Sequence, residues 1–320
     1  MAKWWKLAVG SLLVTSLVTT GCGNATEQAA DDTEGKKLQI VTTFYPMQEF
    51  SSKVAGDLAD VTVLVPAGTE PHDWEPTPKD VAKIAEADVF IYNGGGFEGW
   101  VDDVLKSVNN SDLKIVEAVA GIELMEDTAG EHHDEHKDEQ AKAGEHALDP
   151  HVWIDPVLVQ QEVQTIANAL SEVDAAHAAD YKKNADAYIA VLKDLDTTFK
   201  NELSGTKSKE FVTAHTAFAY LAKRYGLTQV PIAGISPEQE PSAAEMKEIV
   251  EFAKKNQVKT IFFETLASPK VAEAVAKEIG AETAVLNPLE GLTDEEKKKG
   301  LDYIGVMKEN VYTLKDALNK

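Results

Sequence analysis

The sequence predicts an α/β protein with two similar lobes, each a mostly parallel four-stranded sheet flanked by helices, joined by one long rigid helix. Three observations predict this class. From Leu38 onward, short apolar runs rich in β-branched residues alternate with helical patterns, which is typical of parallel sheets. Four such runs lie in each half of the chain. About 285 residues are also more than one hydrophobic core usually supports.

The amino terminus is predicted to be removed before the protein folds. Two lysines precede an apolar run from Leu7 to Val18, and small residues follow it up to Cys22. This pattern is typical of an export signal, and the run is too short to span a bilayer comfortably. The only cysteine of the chain looks like the lipid-modified residue of a bacterial lipoprotein, although an ordinary cleaved signal is the alternative. We therefore expect a lipoprotein signal peptide over residues 1–21 and a flexible polar tether over residues 22–37.

The predicted mature chain is strongly acidic. Lys3 and Lys6 are two of the 31 basic residues, so loss of residues 1–21 leaves 29 basic residues against 54 acidic ones, a net charge of −25. A field of this sign repels nucleic acid and concentrates cations near the surface. We therefore expect no nucleic-acid partner.

The N-terminal lobe is predicted over residues 38–173. Its four strand candidates read LQIVTTF, VTVLVPAG, DVFIYNG and LKIVEAV. A polar segment over residues 126–147 follows them, and it has no apolar face, so we expect a mobile loop there. This segment contains half of the eight histidines of the chain, namely His132, His133, His136 and His146.

The linking helix is predicted over residues 174–204, and the C-terminal lobe over residues 205–320. Apolar residues recur in the helix at spacings of three and four, which makes an amphipathic stripe. The stripe consists of Tyr181, Ala185, Tyr188, Leu192, Leu195, Phe199 and Leu203. The strand candidates of the second lobe read EFVTAH, TQVPIAG, KTIFFET and AETAVLNPL.

Four candidate ligands follow predicted strands or loops, and ligands of open α/β sheets bind beyond the carboxyl ends of strands. They are His72, His151, His215 and Glu290. Three imidazoles and a carboxylate suit Zn²⁺ in a four-coordinate shell. Because imidazole binds metal in its neutral form, we expect affinity to fall as pH drops through about 6.5. Spacing alone leaves these assignments open, since the residues are scattered along most of the chain.

Five blocks of the sequence resemble those of the zinc-binding solute-binding proteins of ABC importers, part of a zinc and manganese cluster. The blocks are VPAGTEPHDWEPTPKDVAKIAEADVFIYNGGGFEGW, DPHVWIDP, FVTAHTAFAYLAKRYGL, FFETLASPKVAEAVAKEIG and LNPLEGLT. The resemblance extends from about Leu38 to the C-terminus. It implies that His72, His151, His215 and Glu290 bind the metal.

The resemblance also implies a role and a location. It implies a receptor outside the cytoplasm, anchored to the outer face of the cell membrane through Cys22, that delivers Zn(II) to an ABC transporter permease. We expect a monomer that is not an enzyme. The histidines of the 126–147 segment are expected to bind zinc weakly beside the tight site.

Several alternatives remain at this stage. Glu264, at the end of a predicted strand, or a water molecule could replace Glu290 as fourth ligand, and Glu264 could instead orient a neighbour. Trp74 is a candidate for the wall of the site. Relatives that carry manganese tend to have a carboxylate in place of His215, which favours zinc over a manganese receptor.

Two other functional classes fit the sequence less well. A zinc hydrolase would need a coordination position for water, and the chain has no H-E-x-x-H or G-x-S-x-G motif. A surface adhesin is the third class, but no segment of the sequence indicates a patch for a host protein.

Overall fold

The N-terminal sheet has four parallel strands, with the first strand in its interior. The computed structural model describes residues 37–126, 148–239 and 241–320. Hydrogen bonds connect the strands in the order β2-β1-β3-β4. The chain therefore leaves β1 in one direction and later returns to its other side, which creates a crevice beyond the strand ends. The strands are β1 (Leu38–Thr42), β2 (Ala59–Val63), β3 (Val89–Tyr92) and β4 (Lys114–Glu117).

The C-terminal sheet repeats this topology. Its order is β6-β5-β7-β8, and all its pairings are parallel. The register pairs Val212 with Val230 on one side and with Ile261 on the other. Each strand coincides with an apolar run predicted from the sequence. The strands are β5 (Glu210–Thr213), β6 (Thr228–Pro231), β7 (Thr260–Phe263) and β8 (Glu282–Val285).

Four helices flank the N-terminal sheet, and two of them begin at clear sequence signals. Thr77 and Asp80 form a reciprocal capping box at the start of α2, with proline in the first helical turn. Asp155 caps α4 by accepting a hydrogen bond from the Val157 backbone N–H at 2.8 Å. The helices are α1 (Tyr45–Ala55), α2 (Pro78–Glu86), α3 (Val101–Ser107) and α4 (Pro156–Val173).

Helix α5 (Ala178–Leu203) connects the two sheets. A 3-10 turn at Ala175–His177 precedes it. All seven residues of the predicted apolar stripe are buried. At about 1.5 Å per residue, its 26 residues form a rod of roughly 39 Å. A rod of this length with one face buried limits relative movement of the lobes.

Five further helices belong to the C-terminal half. Helix α8 ends at Gly280, whose φ of 70° places it in the left-handed conformation common after helix ends. The helices are α6 (Ala219–Tyr225), α7 (Ala243–Lys255), α8 (Lys270–Ile279), α9 (Asp294–Lys298) and α10 (Tyr303–Leu318).

One hydrophobic core extends through both halves and the linking helix. Phe44 of the first half packs edge-on against Trp153, with ring centroids 4.9 Å apart. The Tyr303 hydroxyl of the second half donates to the Trp153 carbonyl at 2.6 Å. Residues Lys37–Lys320 accordingly form one compact unit. The predicted fold class is confirmed: two four-stranded parallel sheets, flanked by helices and joined by a long helix.

The described residues on either side of the histidine-rich segment are paired. Glu126 and Leu148 form an antiparallel bridge, and the Asp149 N–H donates to the Met125 carbonyl at 2.8 Å. Cys22 lies outside the described residues, as do the four histidines at positions 132, 133, 136 and 146. Within the described ranges, no helix is both long and apolar enough to cross a membrane.

Candidate metal centre

Four side chains from distant parts of the sequence converge on one point. They are His72, His151, His215 and Glu290, and the ligand atoms that they offer all lie within 4.8 Å of one another. Glu290 Oε1 lies 3.3 Å from the Nε2 of His72, 3.6 Å from that of His151 and 3.2 Å from that of His215. Bonds of about 2.0 to 2.1 Å to a tetrahedral Zn²⁺ separate ligand atoms by roughly 3.3 to 3.5 Å. The separations from Glu290 and the 3.4 Å between the Nε2 atoms of His72 and His151 are close to that geometry, and the complete set lies within 4.8 Å.

The fold explains the convergence. His72 lies in the loop after β2, and His151 directly precedes the 3-10 turn Val152–Ile154. His215 lies two residues after β5, and Glu290 five residues after β8. The first two come from the N-terminal half and the last two from the C-terminal half, so the centre lies between the sheets.

Two carboxylates orient the histidines. His151 Nδ1 lies 2.8 Å from Asp149 Oδ1, and His215 Nδ1 lies 2.5 Å from Glu264 Oε1. A proton on Nδ1 that donates to a carboxylate leaves Nε2 free to bind a metal. The Asp149 carboxylate also accepts the His151 backbone N–H at 3.0 Å. This arrangement is the common support of metal-binding histidines.

The structure gives Glu264 and Trp74, the two additional candidates from the sequence, positions different from those of the four converging residues. The Glu264 carboxylate lies against His215 Nδ1 and is not one of the four converging groups. Trp74 packs edge-on against Trp100, with ring centroids 5.6 Å apart. The ring of Phe97, which was not singled out from the sequence, lies 4.8 Å from that of His72.

Asp149 and Glu70 were also missed. Both Glu70 oxygens lie 3.1 Å from the His72 backbone nitrogen, so this carboxylate holds the His72 loop. Each of the two acids lies two residues before a candidate histidine. Such spacing lets an aspartate or glutamate accept a nearby backbone N–H, and this local signal could have identified them.

The charges of the centre depend strongly on one another. Burial opposes ionisation of Glu290, but the imidazoles of His215, His151 and His72 outweigh it and hold the pKa of this carboxyl well below its usual range. Burial likewise opposes protonation of His215, yet the carboxylates of Glu264 and Glu290 raise its pKa to about 10. The centre therefore strongly favours positive charge beside Glu290.

The pKa values of the other two histidines shift in opposite directions. Burial lowers the pKa of His72 more than Glu290 raises it. Burial also acts against protonation of His151, but Asp149 and Glu290 overcome it and raise its pKa. His215 Nε2 is buried and makes no hydrogen bond, although Glu290 Oε1 lies 3.2 Å away. Once it loses its proton, this ring nitrogen at the common point is a suitable ligand for a cation.

Comparisons with known proteins agree with this chemistry. The sequence profile of one family, described as the periplasmic component A of the zinc-uptake complex, matches residues 40–317. The high-affinity zinc uptake system protein ZnuA of Bacillus subtilis (strain 168) is 49% identical over 99% of this chain and 98% of that protein. The zinc-binding lipoprotein AdcA of Streptococcus pneumoniae (strain ATCC BAA-255 / R6) is 43% identical over 97% of this chain.

This chain spans only 61% of the length of that lipoprotein. A solved structure of the Zn(II)-bound ZnuA-like domain of Streptococcus pneumoniae AdcA is also similar. It is 44% identical, with a TM-score of 0.75, and the match covers 89% of this chain and all of that domain.

Proposed function

The chain belongs to the family of the periplasmic component A of zinc-uptake complexes, and we propose that His72, His151, His215 and Glu290 bind the zinc ion that it captures. It is a zinc-uptake receptor of the solute-binding type, and it is not an enzyme. The observation that carries the ligand proposal is the convergence of three Nε2 atoms and one carboxylate oxygen, which all lie within 4.8 Å of one another.

The four donor groups suit a site that holds a metal ion and does not suit a site at which the metal catalyses a reaction. Three imidazoles and one carboxylate complete a tetrahedral shell. No coordination position is then left for a water molecule that the metal could activate. All four groups are deeply buried, the most exposed being the His72 side chain at 6%. A buried, complete shell favours slow exchange of the ion.

Zinc is the metal that these donors favour. Imidazole nitrogen is a borderline ligand that suits Zn²⁺, whereas Mn²⁺ prefers carboxylate and water oxygens. Glu264 offers its carboxylate to His215 Nδ1. The ion therefore meets three nitrogens and one oxygen. A manganese receptor of the same family is the alternative that these donors disfavour.

Capture and release follow from the position of the site between the halves. A bound ion would connect the lobe that carries His72 and His151 to the lobe that carries His215 and Glu290. The linking helix and the shared core restrict large hinge movements, so release requires a local displacement of a ligand-bearing loop. In this proposal the permease of an ABC transporter causes that displacement.

The proposal includes export and anchoring of the chain. A signal peptide over residues 1–21 directs export, Cys22 carries the lipid that holds the protein at the outer face of the cell membrane, and residues 22–37 are the tether. The lobes comprise residues 38–173 and 205–320, with the helix over 174–204 between them, and the receptor acts as a monomer. The histidines of residues 126–147 supply additional weak zinc sites.

Chelator competition on the purified protein tests the ligand proposal. The His215→Ala variant should lose tight zinc binding by at least a hundredfold, because one of four bonds and its orientation are removed. The matched control is His177→Ala, since His177 is half exposed and pairs with Asp174 away from the converging groups. Tight binding that survives in His215→Ala at the level of the control would contradict the assignment.

A further inference from the structure

Helix α6 holds the His151 segment at two points, one on each side of the histidine. The Tyr220 hydroxyl donates to the Asp149 carbonyl at 2.7 Å. Arg224 Nε donates to Asp155 Oδ2 at 2.7 Å. Residues four apart in a helix lie on the same face, so one face of α6 grips both ends of a short segment.

The Tyr220 hydroxyl is used fully. Besides its donation to Asp149, it accepts a hydrogen bond from the Met125 backbone N–H at 2.8 Å. Its side chain is buried and packs with Val119 and Val152. The hydroxyl therefore connects the Met125 backbone to the Asp149 backbone, and both residues belong to the opposite half of the protein.

The hydrogen bond from Tyr220 acts directly on Asp149, the residue that orients His151. Asp149 presents its carbonyl to Tyr220 and its carboxylate to the His151 ring and backbone. Fixing the Asp149 backbone thus fixes the acceptor that keeps the proton on His151 Nδ1. The hydrogen bond from Arg224 holds Asp155, which caps the helix that follows His151.

At its other end, α6 is joined to His215. The Ala217 N–H donates to the His215 carbonyl at 3.0 Å. The Gln229 side chain donates to the same carbonyl at 2.8 Å and accepts the Phe218 N–H at 3.1 Å. Phe218 is the residue immediately before α6. A continuous set of hydrogen bonds therefore connects the His215 backbone to the His151 segment.

We propose that Tyr220 and Arg224 are positioning residues that form a clamp between the halves, and that this clamp sets how slowly zinc leaves the centre. The inference rests on the proposed zinc function. With the clamp in place, His151 and His215 keep their Nε2 atoms at a fixed separation. When a hydrogen bond of the clamp is lost, the Asp149 carboxylate is held less firmly. The bond from His151 to zinc then weakens before the other three.

A tyrosine five residues further along α6 provides a matched control. The Tyr225 hydroxyl donates to Asp196 Oδ1 at 3.2 Å, and its ring stacks on that of Phe199. Tyr225→Phe removes a hydroxyl bond of the same helix without touching the His151 segment. A general loss of packing or of helix stability would appear in both tyrosine variants.

The experiment measures zinc dissociation from the full mature protein by stopped-flow mixing with excess chelator, after the parent's zinc stoichiometry has been established. Tyr220→Phe should release zinc on the order of tenfold faster, because the buried Asp149 carbonyl and the partly buried Met125 N–H lose their partner. Tyr225→Phe should release it at the parental rate. Co²⁺ substituted for zinc should show shifted absorption bands in Tyr220→Phe only, since the His151 bond changes.

Each outcome is decisive. A parent that binds no zinc refutes the proposed function itself. A parent that binds zinc, together with a Tyr220→Phe variant of parental release rate and cobalt spectrum, refutes the clamp. Equal acceleration in both tyrosine variants also refutes it. If Tyr220→Phe does not fold, Arg224→Gln tests the other hydrogen bond of the clamp by the same two measurements. A parental release rate and cobalt spectrum in Arg224→Gln would overturn the proposal.

Discussion

Zinc binding should release a proton from His215 at neutral pH. The imidazole has a pKa of about 10 because the Glu264 and Glu290 carboxylates outweigh its burial. At pH 7 it therefore holds a proton on Nε2 that zinc must displace, at a cost of about 4 kcal/mol. Glu290 releases no proton, since its pKa lies well below the usual range. We expect at least one proton per zinc ion.

The sign of the pH effect follows from this displacement. Protons compete with zinc below the pKa of His215, so affinity falls as pH drops and rises about tenfold per unit as pH increases toward 10. The sequence alone placed this window near 6.5, the ordinary value for histidine. The buried carboxylates move the window upward, because they stabilise the protonated ring.

Isothermal titration calorimetry at pH 7 in buffers of different ionisation enthalpy measures the number of protons released. Glu264→Gln removes the carboxylate that lies 2.5 Å from His215 Nδ1, so proton release should fall and the pH slope should flatten. Glu172→Gln, at an exposed surface ion pair, is the control and should match the parent. No proton release at pH 7, with constant affinity from pH 6.5 to 8.5, would refute the reasoning.

Three further predictions concern stability, selectivity and stoichiometry. Burial raises the pKa of Glu162, which makes no hydrogen bond, from 4.5 to about 8. Unfolding frees this acid to ionise, so Glu162→Gln should raise the free energy of unfolding, with a gain that grows from near zero at pH 4.5 to about 3 kcal/mol at pH 7. If the idea is wrong, urea denaturation of the zinc-free parent and variant will give the same difference in unfolding free energy at every pH in that range. His215→Glu should shift preference toward manganese, because carboxylates suit harder ions, and competition between the two metals would reveal an unchanged preference otherwise. Deletion of residues 131–146 should leave one tight site and remove weak ones, so loss of the tight site in a zinc titration would count against the division of roles.

Local patterns were sufficient for the eight strands and for the buried face of the linking helix. The apolar stripe of α5 has the helical period, and every member of it is buried. The eight strands coincide with short β-branched runs because a strand buried in a parallel sheet selects such residues. The candidate ligands could be proposed because the chain order of strands and loops places certain residues beyond strand ends, and because the blocks resemble a known family.

The sequence by itself determined the fold class and the buried face of the linking helix, and its resemblance to a known family pointed to the four residues that lie together in the structure. Only the tertiary structure decided that Glu264 meets His215 Nδ1, that Asp149 supports His151, and that Tyr220 holds Asp149 from the other half. The physical reason is range. Helix and strand periods arise between neighbours in sequence, whereas these contacts and the pKa of His215 depend on side chains that approach only when two sheets pack together.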